Sequence, residues 1–385
     1  MKILLINEYG SWGGAEKIFY NSAKAFKEDG HDILCLLGSG GILEEKLQNN
    51  EIRVKLYREG RKELKENSFM FMGKRIINVI SVFQNYIKLK EDSNNVKIEV
   101  DKFKPDIIYL NNLRPLIIFY NIKEIMKNTK VIWHEHGYQR SKIRQFLLDN
   151  KLLKYIDKII CVSNHVCSCH SERIKYKTII LNNGIEDIGV KSISLNKSND
   201  FVEFVQPAFI TRWKGQNTVL EAVNILINKY KLTNFKVKFL GSPRSKDDSR
   251  YLSSLIRYVK INDLYNYVEF LGFRDDAVEI IGKSDMLISS SQEHDPFPTI
   301  LLEGCCLGKA IISSNAGGSS DIVKHNKNGF VFSMKNGEEL AKYMKTLIKN
   351  RDLINKYGKE SRKIYLQNFT IDNFNNNIVD IISSI

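Results

Sequence analysis

No apolar run in this chain reaches the ~18 residues that a membrane-spanning helix needs, so none is expected. Cysteine is scarce. The six residues (Cys35, Cys161, Cys167, Cys169, Cys305, Cys306) include one adjacent pair, which argues against a disulfide scaffold and fits free thiols in a reducing cytoplasm. Met1–Asn7 has one charge and a very short apolar core, so it reads as a first strand and not as a signal peptide. The formal net charge is +14, yet there is no Arg-rich block and no basic stripe interleaved with aromatics. That disfavours nucleic-acid binding and leaves an anionic membrane surface or a plain solvated basic surface. A Gly-x-Gly-x-x-Gly dinucleotide fingerprint is also missing. His165, Cys167, Cys169 and His170 are spaced more tightly than paired zinc ligands, and no second pair follows, so buried or incidental thiols are expected there.

What is present is an alternation of apolar strands and amphipathic helices. A chain of 385 residues suits two domains of roughly 180 each. The pattern predicts an α/β protein of two doubly wound, Rossmann-like domains. The N-terminal domain spans 1–185 and is completed by a C-terminal helix over 366–385. A Ser/Asn/Lys-rich linker follows over 186–199, and a second domain covers 200–365. Near the N-terminus, a strand over Lys2–Asn7, a glycine-rich loop with Gly13, Gly14 and Glu16, and a helix from about Ala15 to Lys27 form one unit. The charged stretch Glu59–Glu66 reads as exposed. Phe69 to Lys90 reads as one long amphipathic helix packed on the sheet. The sharper alternative has Phe69–Met72, with Lys74 and Arg75, touching a membrane or a lipid-linked acceptor. Two further strands end in polar residues, one in Asn111-Asn112 and the other in His134-Glu135-His136. Two histidines flanking a carboxylate at a strand tip suggest function.

The second half is organised around Ser289 to Gly304. A buried strand (Met286–Ile288) leads into an acidic turn, Asp295-Pro296-Phe297-Pro298. Its prolines exclude helix interior, and a helix follows over Ile300–Leu307, with Thr299 as its expected cap. Asp295 then sits in the turn and Glu303 about one turn into the helix, with free N–H groups between them. That is an anion site with a carboxylate on either side, a layout suited to a nucleotide sugar with hydroxyls flanking its diphosphate. Earlier, Ile210-Thr211-Arg212-Trp213-Lys214-Gly215-Gln216 is a basic glycine-bearing loop between a strand and a helix. Fixed cations there stabilise a leaving diphosphate as its charge grows.

Asp295-Pro296-Phe297-Pro298 with Glu303, then Gly308-Lys309-Ala310-Ile311-Ile312 and Gly317-Gly318, resembles the Glu-x7-Glu region of family 4 of the GT-B retaining glycosyltransferases. Asp295 replaces the first Glu and Glu303 matches the second. The Arg-Trp-Lys-Gly-Gln stretch and the Gly-Gly-Ala-Glu loop also resemble that family, whose usual Arg five positions before Lys214 is Phe209 here. The resemblance implies the GT-B architecture, with two domains facing a cleft. It implies transfer of a sugar from a nucleoside-diphosphate donor to a glycan or lipid-linked acceptor, with retention and no metal or other cofactor. By resemblance the donor site comprises Gly13, Gly14, Arg212, Lys214, Phe273, Arg274, Asp295, Phe297, Pro298, Thr299 and Glu303. Phe273 and Arg274 lie where the base is bound. The catalytic residues are Asp295, Glu303, Lys214 and His136, and Glu16, Asn112, His134 and His136 lie on the acceptor side. The expected place of work is the cytoplasm, peripherally at the inner face of the membrane, in bacterial surface polysaccharide synthesis. Two alternatives remain open: a nucleotide-sugar epimerase on the same fold, and an inactive sugar-binding partner of a transferase.

Overall fold

The computed structural model describes residues 1–58, 68–71, 74–77, 79–123, 129–138, 141–189 and 201–385. The charged stretch at 59–66 and residues 190–199 of the expected linker lie outside them, as do the side chains of the Phe69–Met72 segment with Lys74 and Arg75. The chain divides into two compact units. One is Met1–Leu181 together with Phe374–Ile385, and the other is Asn182–Asn373.

In the first unit the strands are β1 (Lys2–Asn7), β2 (Asp32–Leu37), β3 (Arg53–Leu56), β4 (Ser68–Phe71), β5 (Lys74–Ile77), β6 (Ile107–Asn111), β7 (Lys130–Glu135), β8 (Lys158–Cys161) and β9 (Thr178–Ile180). Seven of them form a parallel sheet in the order β3-β2-β1-β6-β7-β8-β9. Ile3 to Ile6 and Ile108 to Leu110 are wholly buried, as expected of central parallel strands covered on both faces. The helix Gly14–Glu28 buries Ile18, Phe19, Ser22, Ala23 and Phe26, one apolar stripe. The single helix expected over Phe69–Lys90 is not found. β4 and β5 pair as an antiparallel hairpin, and the helix runs over Val79–Phe103. Gly73, a poor residue for a helix interior, and the alternating Phe-Met-Phe-Met run before it favour the hairpin.

In the second unit β10 (Val202–Pro207), β11 (Phe235–Leu240), β12 (Val268–Gly272), β13 (Met286–Ser289), β14 (Ala310–Ser314) and β15 (Gly329–Phe332) form a parallel sheet in the order β12-β11-β10-β13-β14-β15. Phe204, Phe235, Val237, Phe239, Met286 and Ile312 anchor its core against the helices Gln216–Asn228 and Gly337–Ile348.

Each sheet reverses its winding once, between β1 and β6 and between β10 and β13. Loops leaving the carboxyl ends of two such strands diverge to opposite faces, which opens a crevice where doubly wound folds bind ligands. Gly13, Gly14 and Asn112 follow β1 and β6, and Arg212, Lys214 and Asp295 follow β10 and β13, whereas His134 and His136 stand at the end of the neighbouring β7 and Phe273 and Arg274 follow β12.

Candidate active site

In the second unit the loop after β10 and the turn after β13 meet. Arg212–Lys214 is one 3-10 turn, and Gly215 at φ +69° reverses the chain into the helix Gln216–Asn228. A Cβ on Gly215 would lie 2.0 Å from the Ser290 carbonyl oxygen, so a larger residue would push the loops apart. Ser290 Oγ lies 3.0 Å from the Lys214 carbonyl oxygen and 2.9 Å from that of Gly215. Gln206 Nε2 donates to both the Lys214 carbonyl (2.9 Å) and Ser290 Oγ (2.9 Å), and the Gln292 N–H donates to the Trp213 carbonyl at 2.7 Å.

This stitching brings Lys214 Nζ to 2.9 Å from Asp295 Oδ2, both mostly shielded from water. The ammonium also lies 3.9 Å from the centre of the Trp213 ring. Asp295 is pinned through its backbone: the Gly318 N–H donates to its carbonyl at 2.8 Å, and residue 295 bridges Gly317 in parallel. The Gly317 N–H donates to His294 Nδ1 at 3.1 Å.

The helix runs over Thr299–Cys306 with Pro298 at its cap position and no side-chain cap bond, so Thr299 is its first residue and not the expected cap. Pro298, extended at φ −71° and ψ 107°, ends the turn one residue earlier than the sequence suggests. Thr299 and the half-buried Glu303 share a helix face at i and i+4, and Phe297 and Pro298 are buried behind the turn.

The other expected donor residues are placed differently. The Arg212 guanidinium stands over the Tyr251 ring at 5.2 Å, while Lys214 is the cation at Asp295. Arg274 is exposed and paired with Asp276 at 2.7 and 2.8 Å. Phe273 is 70% exposed beside Gly272 at φ +67°, an apolar ring free to stack. The sequence reading did not single out Arg244, which covers the Phe209 ring. The Gly241-Ser242-Pro243-Arg244 run directly after an apolar strand was the available signal.

In the first unit, His134 and His136 project from the same side of the β7 end, with ring centroids 4.1 Å apart. His134 is fully buried; the Tyr109 hydroxyl meets its Nδ1, and its Nε2 is buried without a partner among the described residues. His136 Nε2 lies 2.8 Å from Asn111 Oδ1, an oxygen that can only accept, so that nitrogen carries the proton. Asn111 Nδ2 in turn donates to Asn7 Oδ1 at 2.7 Å, and Asn7 Nδ2 to the Tyr9 carbonyl at 2.7 Å. The fold thus joins Asn111, not Asn112, to His136. Asn112 holds φ +70° at the start of the helix Leu113–Ile122 and accepts from the Trp133 indole at 2.8 Å. Glu16 folds back on the start of its own helix. Its carboxylate accepts from the Gly13 backbone, and a Cβ on Gly13 would lie 2.7 Å from it, whereas Gly14 faces open space. Burial raises the Glu16 pKa against those backbone hydrogen bonds.

Glu135, between the histidines, points the other way. Its Oε2 is 2.7 Å from His170 Nε2, and His170 Nδ1 is 3.2 Å from Asp149 Oδ1. Burial alone would depress His170, but the hydrogen bonds and charges of Glu135 and Asp149 outweigh it and raise its pKa. Glu135, Cys161 and His170 bring ligand-type atoms within 4.8 Å of one another, a different set from the Cys167/Cys169 pair that the sequence draws attention to. Both imidazole nitrogens of His170 already face carboxylates, so the cluster clamps the β7 tip from behind.

Burial pushes the His136 pKa down to about 3, and it drives His134 well below its usual value, with repulsion from His136 adding to it. Between pH 6.5 and about 3 the unfolded chain binds protons that folded His136 refuses, so stability falls as pH is lowered through that window. The slope is at most about 1.4 kcal/mol per pH unit for each enclosed imidazole. Urea unfolding at pH 7 and pH 4.5 should show His136→Gln losing less stability than wild type on acidification. Parallel losses in the two proteins would contradict this placement.

The profile for glycosyl transferases group 1 matches residues 190–364, and that for glycosyltransferase family 4 matches residues 12–187. An uncharacterized glycosyltransferase of Haemophilus influenzae is 23% identical over 368 residues, 93% of each chain. Another, from Methanocaldococcus jannaschii, is 26% identical over 248 residues, 62% of this chain and 65% of that one. Among solved structures, Anabaena HepE in complex with UDP superposes with a TM-score of 0.79 at 20% identity over the whole of both chains. The lipopolysaccharide outer core galactosyltransferase WaaB, in its apo form, does so with 0.75 at 14%, again over both whole chains.

Two doubly wound units give the chain the GT-B fold, and the matches to the glycosyltransferase profiles make it an enzyme that transfers glycosyl groups. The chain belongs to family 4 of these glycosyltransferases, the glycosyl transferases group 1.

Proposed function

We propose that the enzyme moves a sugar from a UDP- or GDP-sugar to a hydroxyl of a glycan or lipid-linked acceptor, with retention, in bacterial surface polysaccharide synthesis. The observation that carries this reading is the Lys214–Asp295 pair, held at 2.9 Å where the sheet reverses its winding. A cation for the diphosphate and a carboxylate for the sugar hydroxyls are thereby adjacent. The start of the Thr299 helix and Arg212 would add to the phosphate site, Glu303 would hold the ribose hydroxyls and Phe273 the base. His136, neutral with its Nε2 proton directed at Asn111, is assigned to sugar hydroxyls. The bond from the sugar's anomeric carbon to the diphosphate oxygen breaks, and the acceptor oxygen bonds on the same face. The acceptor's proton passes to the departing phosphate oxygen. Lys214, Arg212 and helix N–H groups stabilise the charge that develops, so the reaction proposed needs no metal ion. That HepE is seen with UDP and that WaaB is a lipopolysaccharide galactosyltransferase support this donor and this kind of pathway.

No helix among the described residues is long and apolar enough to cross a membrane. A peripheral contact at the inner membrane face is proposed instead on the helix Lys142–Leu147. Its Ile143, Phe146 and Leu147, spaced i, i+3 and i+4, are 74%, 65% and 43% exposed. An apolar stripe beside Lys142 and Lys151, on a chain of net charge +14, suits an anionic bilayer surface.

The test is a thermal-shift and hydrolysis screen of UDP-, GDP-, ADP- and CMP-sugars with EDTA present, on wild type and Glu303→Ala. A parallel arm sediments the protein with anionic and with zwitterionic vesicles. One nucleotide sugar should stabilise wild type, and that shift should vanish in Glu303→Ala. Only anionic vesicles should carry the protein down. Equal binding by Glu303→Ala would overturn the ribose assignment. Binding without turnover, even with acceptors supplied, would favour the inactive partner.

A further inference from the structure

Arg244 lies in the segment that leaves β11 at the carboxyl edge of the second sheet, and its guanidinium carbon is 3.2 Å from the centre of the Phe209 ring. Both side chains are exposed. The segments that carry them are fastened together. The Ala208 N–H donates to the Leu240 carbonyl at 2.9 Å, and the Ile210 N–H to the Ser242 carbonyl at 3.2 Å. Gly241, at φ +144°, approaches so closely that a Cβ would lie 2.1 Å from the Ala208 oxygen. Gln216 Nε2, at the start of the following helix, donates to the Phe209 carbonyl at 2.9 Å and closes the loop that bears Arg212 and Lys214. Arg244 is therefore mounted on the basic loop although it belongs to a different strand connection.

Its charge is also uncommitted. Among the described residues no carboxylate pairs with Arg244, whereas Lys214 is paired with Asp295 and Arg274 with Asp276. The Lys214–Asp295 pair is neutral as a unit, so among the described residues Arg212 and Arg244 are the cations of these two loops without a carboxylate partner. A guanidinium stacked on a ring uses its faces and leaves its in-plane N–H donors free, and that fork matches two oxygens of a phosphate. Phe209 occupies the position where the resemblance expects an arginine, and its ring holds one supplied from elsewhere.

We propose that Arg244 is a further cation for the donor diphosphate, held in place by the Phe209 ring. The inference rests on the donor-site reading above. It is tested by calorimetric titration of UDP, GDP and the corresponding free nucleosides into wild type, Arg244→Ala, Arg244→Lys and Phe209→Arg/Arg244→Ala, with steady-state rates on the donor identified in the screen. Arg244→Ala should bind the diphosphate at least about tenfold more weakly and turn over about 10²-fold more slowly, the scale of losing one charge-stabilising donor. Its affinity for the free nucleoside should be unchanged, which a merely structural defect would not spare. Arg244→Lys should recover little, because an ammonium has no fork. Phe209→Arg should restore at least tenfold of the loss in the double variant. If wild type binds neither diphosphate, the donor-site reading falls and Arg244 with it. If wild type binds and Arg244→Ala matches it, the Arg244 assignment alone falls. A double variant no better than Arg244→Ala overturns the claim that the two positions serve the same phosphate.

Discussion

Lys214→Met is expected to lower kcat by about 10²- to 10³-fold, the usual scale for removing one donor that faces developing charge in a shielded site. The expectation rests on position. The Lys214 backbone is fixed from behind by Ser290, Gln206 and the left-handed Gly215, and its ammonium is held against Asp295 and the Trp213 ring. Removing it also leaves Asp295 as a shielded carboxylate without its partner, which costs about 1–3 kcal/mol of stability. Loss of activity could then reflect a loosened fold. Lys214→Met/Asp295→Asn, measured against Asp295→Asn alone because Asp295 is itself assigned to the sugar, separates the two effects: it removes the stranded charge while leaving the diphosphate without its cation. Thermal melts should show the double variant recovering most of the stability lost in Lys214→Met, with no recovery of kcat. If activity returns together with stability, Lys214 is a structural partner of Asp295 and not the cation of the reaction.

Gly317→Ala should be nearly as damaging, although residue 317 bears no functional group. Its φ of +66° strains any residue with a side chain, and a Cβ would lie 2.2 Å from the Asp295 carbonyl oxygen and 2.9 Å from its carbonyl carbon and nitrogen. None of those atoms is the flexible end of a side chain, so the backbone of the acidic turn has to move. A displacement of about 1 Å in a positioning group is enough for a loss of about 10²-fold in rate. Melting temperature should fall by a few degrees, consistent with a defect on the order of 1–3 kcal/mol. Gly14→Ala is the control, since a Cβ there meets nothing within 4 Å and should leave stability within about 0.5 kcal/mol of wild type. Wild-type activity in Gly317→Ala would show that Asp295 need not be held where it is.

The glycine and proline punctuation explains how much of this was legible beforehand. Pro296 and Pro298 confine the acidic turn, Gly215 ends the basic loop and Gly308 ends the following helix, so chain direction around the candidate residues is legible locally. The wholly apolar runs at Ile3–Ile6 and Met286–Ile288 marked central parallel strands for the same reason: burial on both faces leaves no polar alternation. Elsewhere the pattern is ambiguous. Phe69 to Lys90 is apolar enough for either period, and the chain uses a hairpin before the helix. Thr299 is a good cap residue by local sequence, but the extended Pro298 takes the cap position one residue earlier.

By itself the sequence determined the two α/β units, their loops and the candidate polar residues on them, because these follow from periodicity, turn chemistry and charge within short windows. Pairings between distant segments were decided only by tertiary structure. Lys214 meets Asp295 across 81 positions, His136 meets Asn111 instead of Asn112, and Arg244 covers Phe209 from another strand's loop. Such pairings depend on strand order and register, which place sequence-remote loops at one edge of a sheet. No local pattern carries that information.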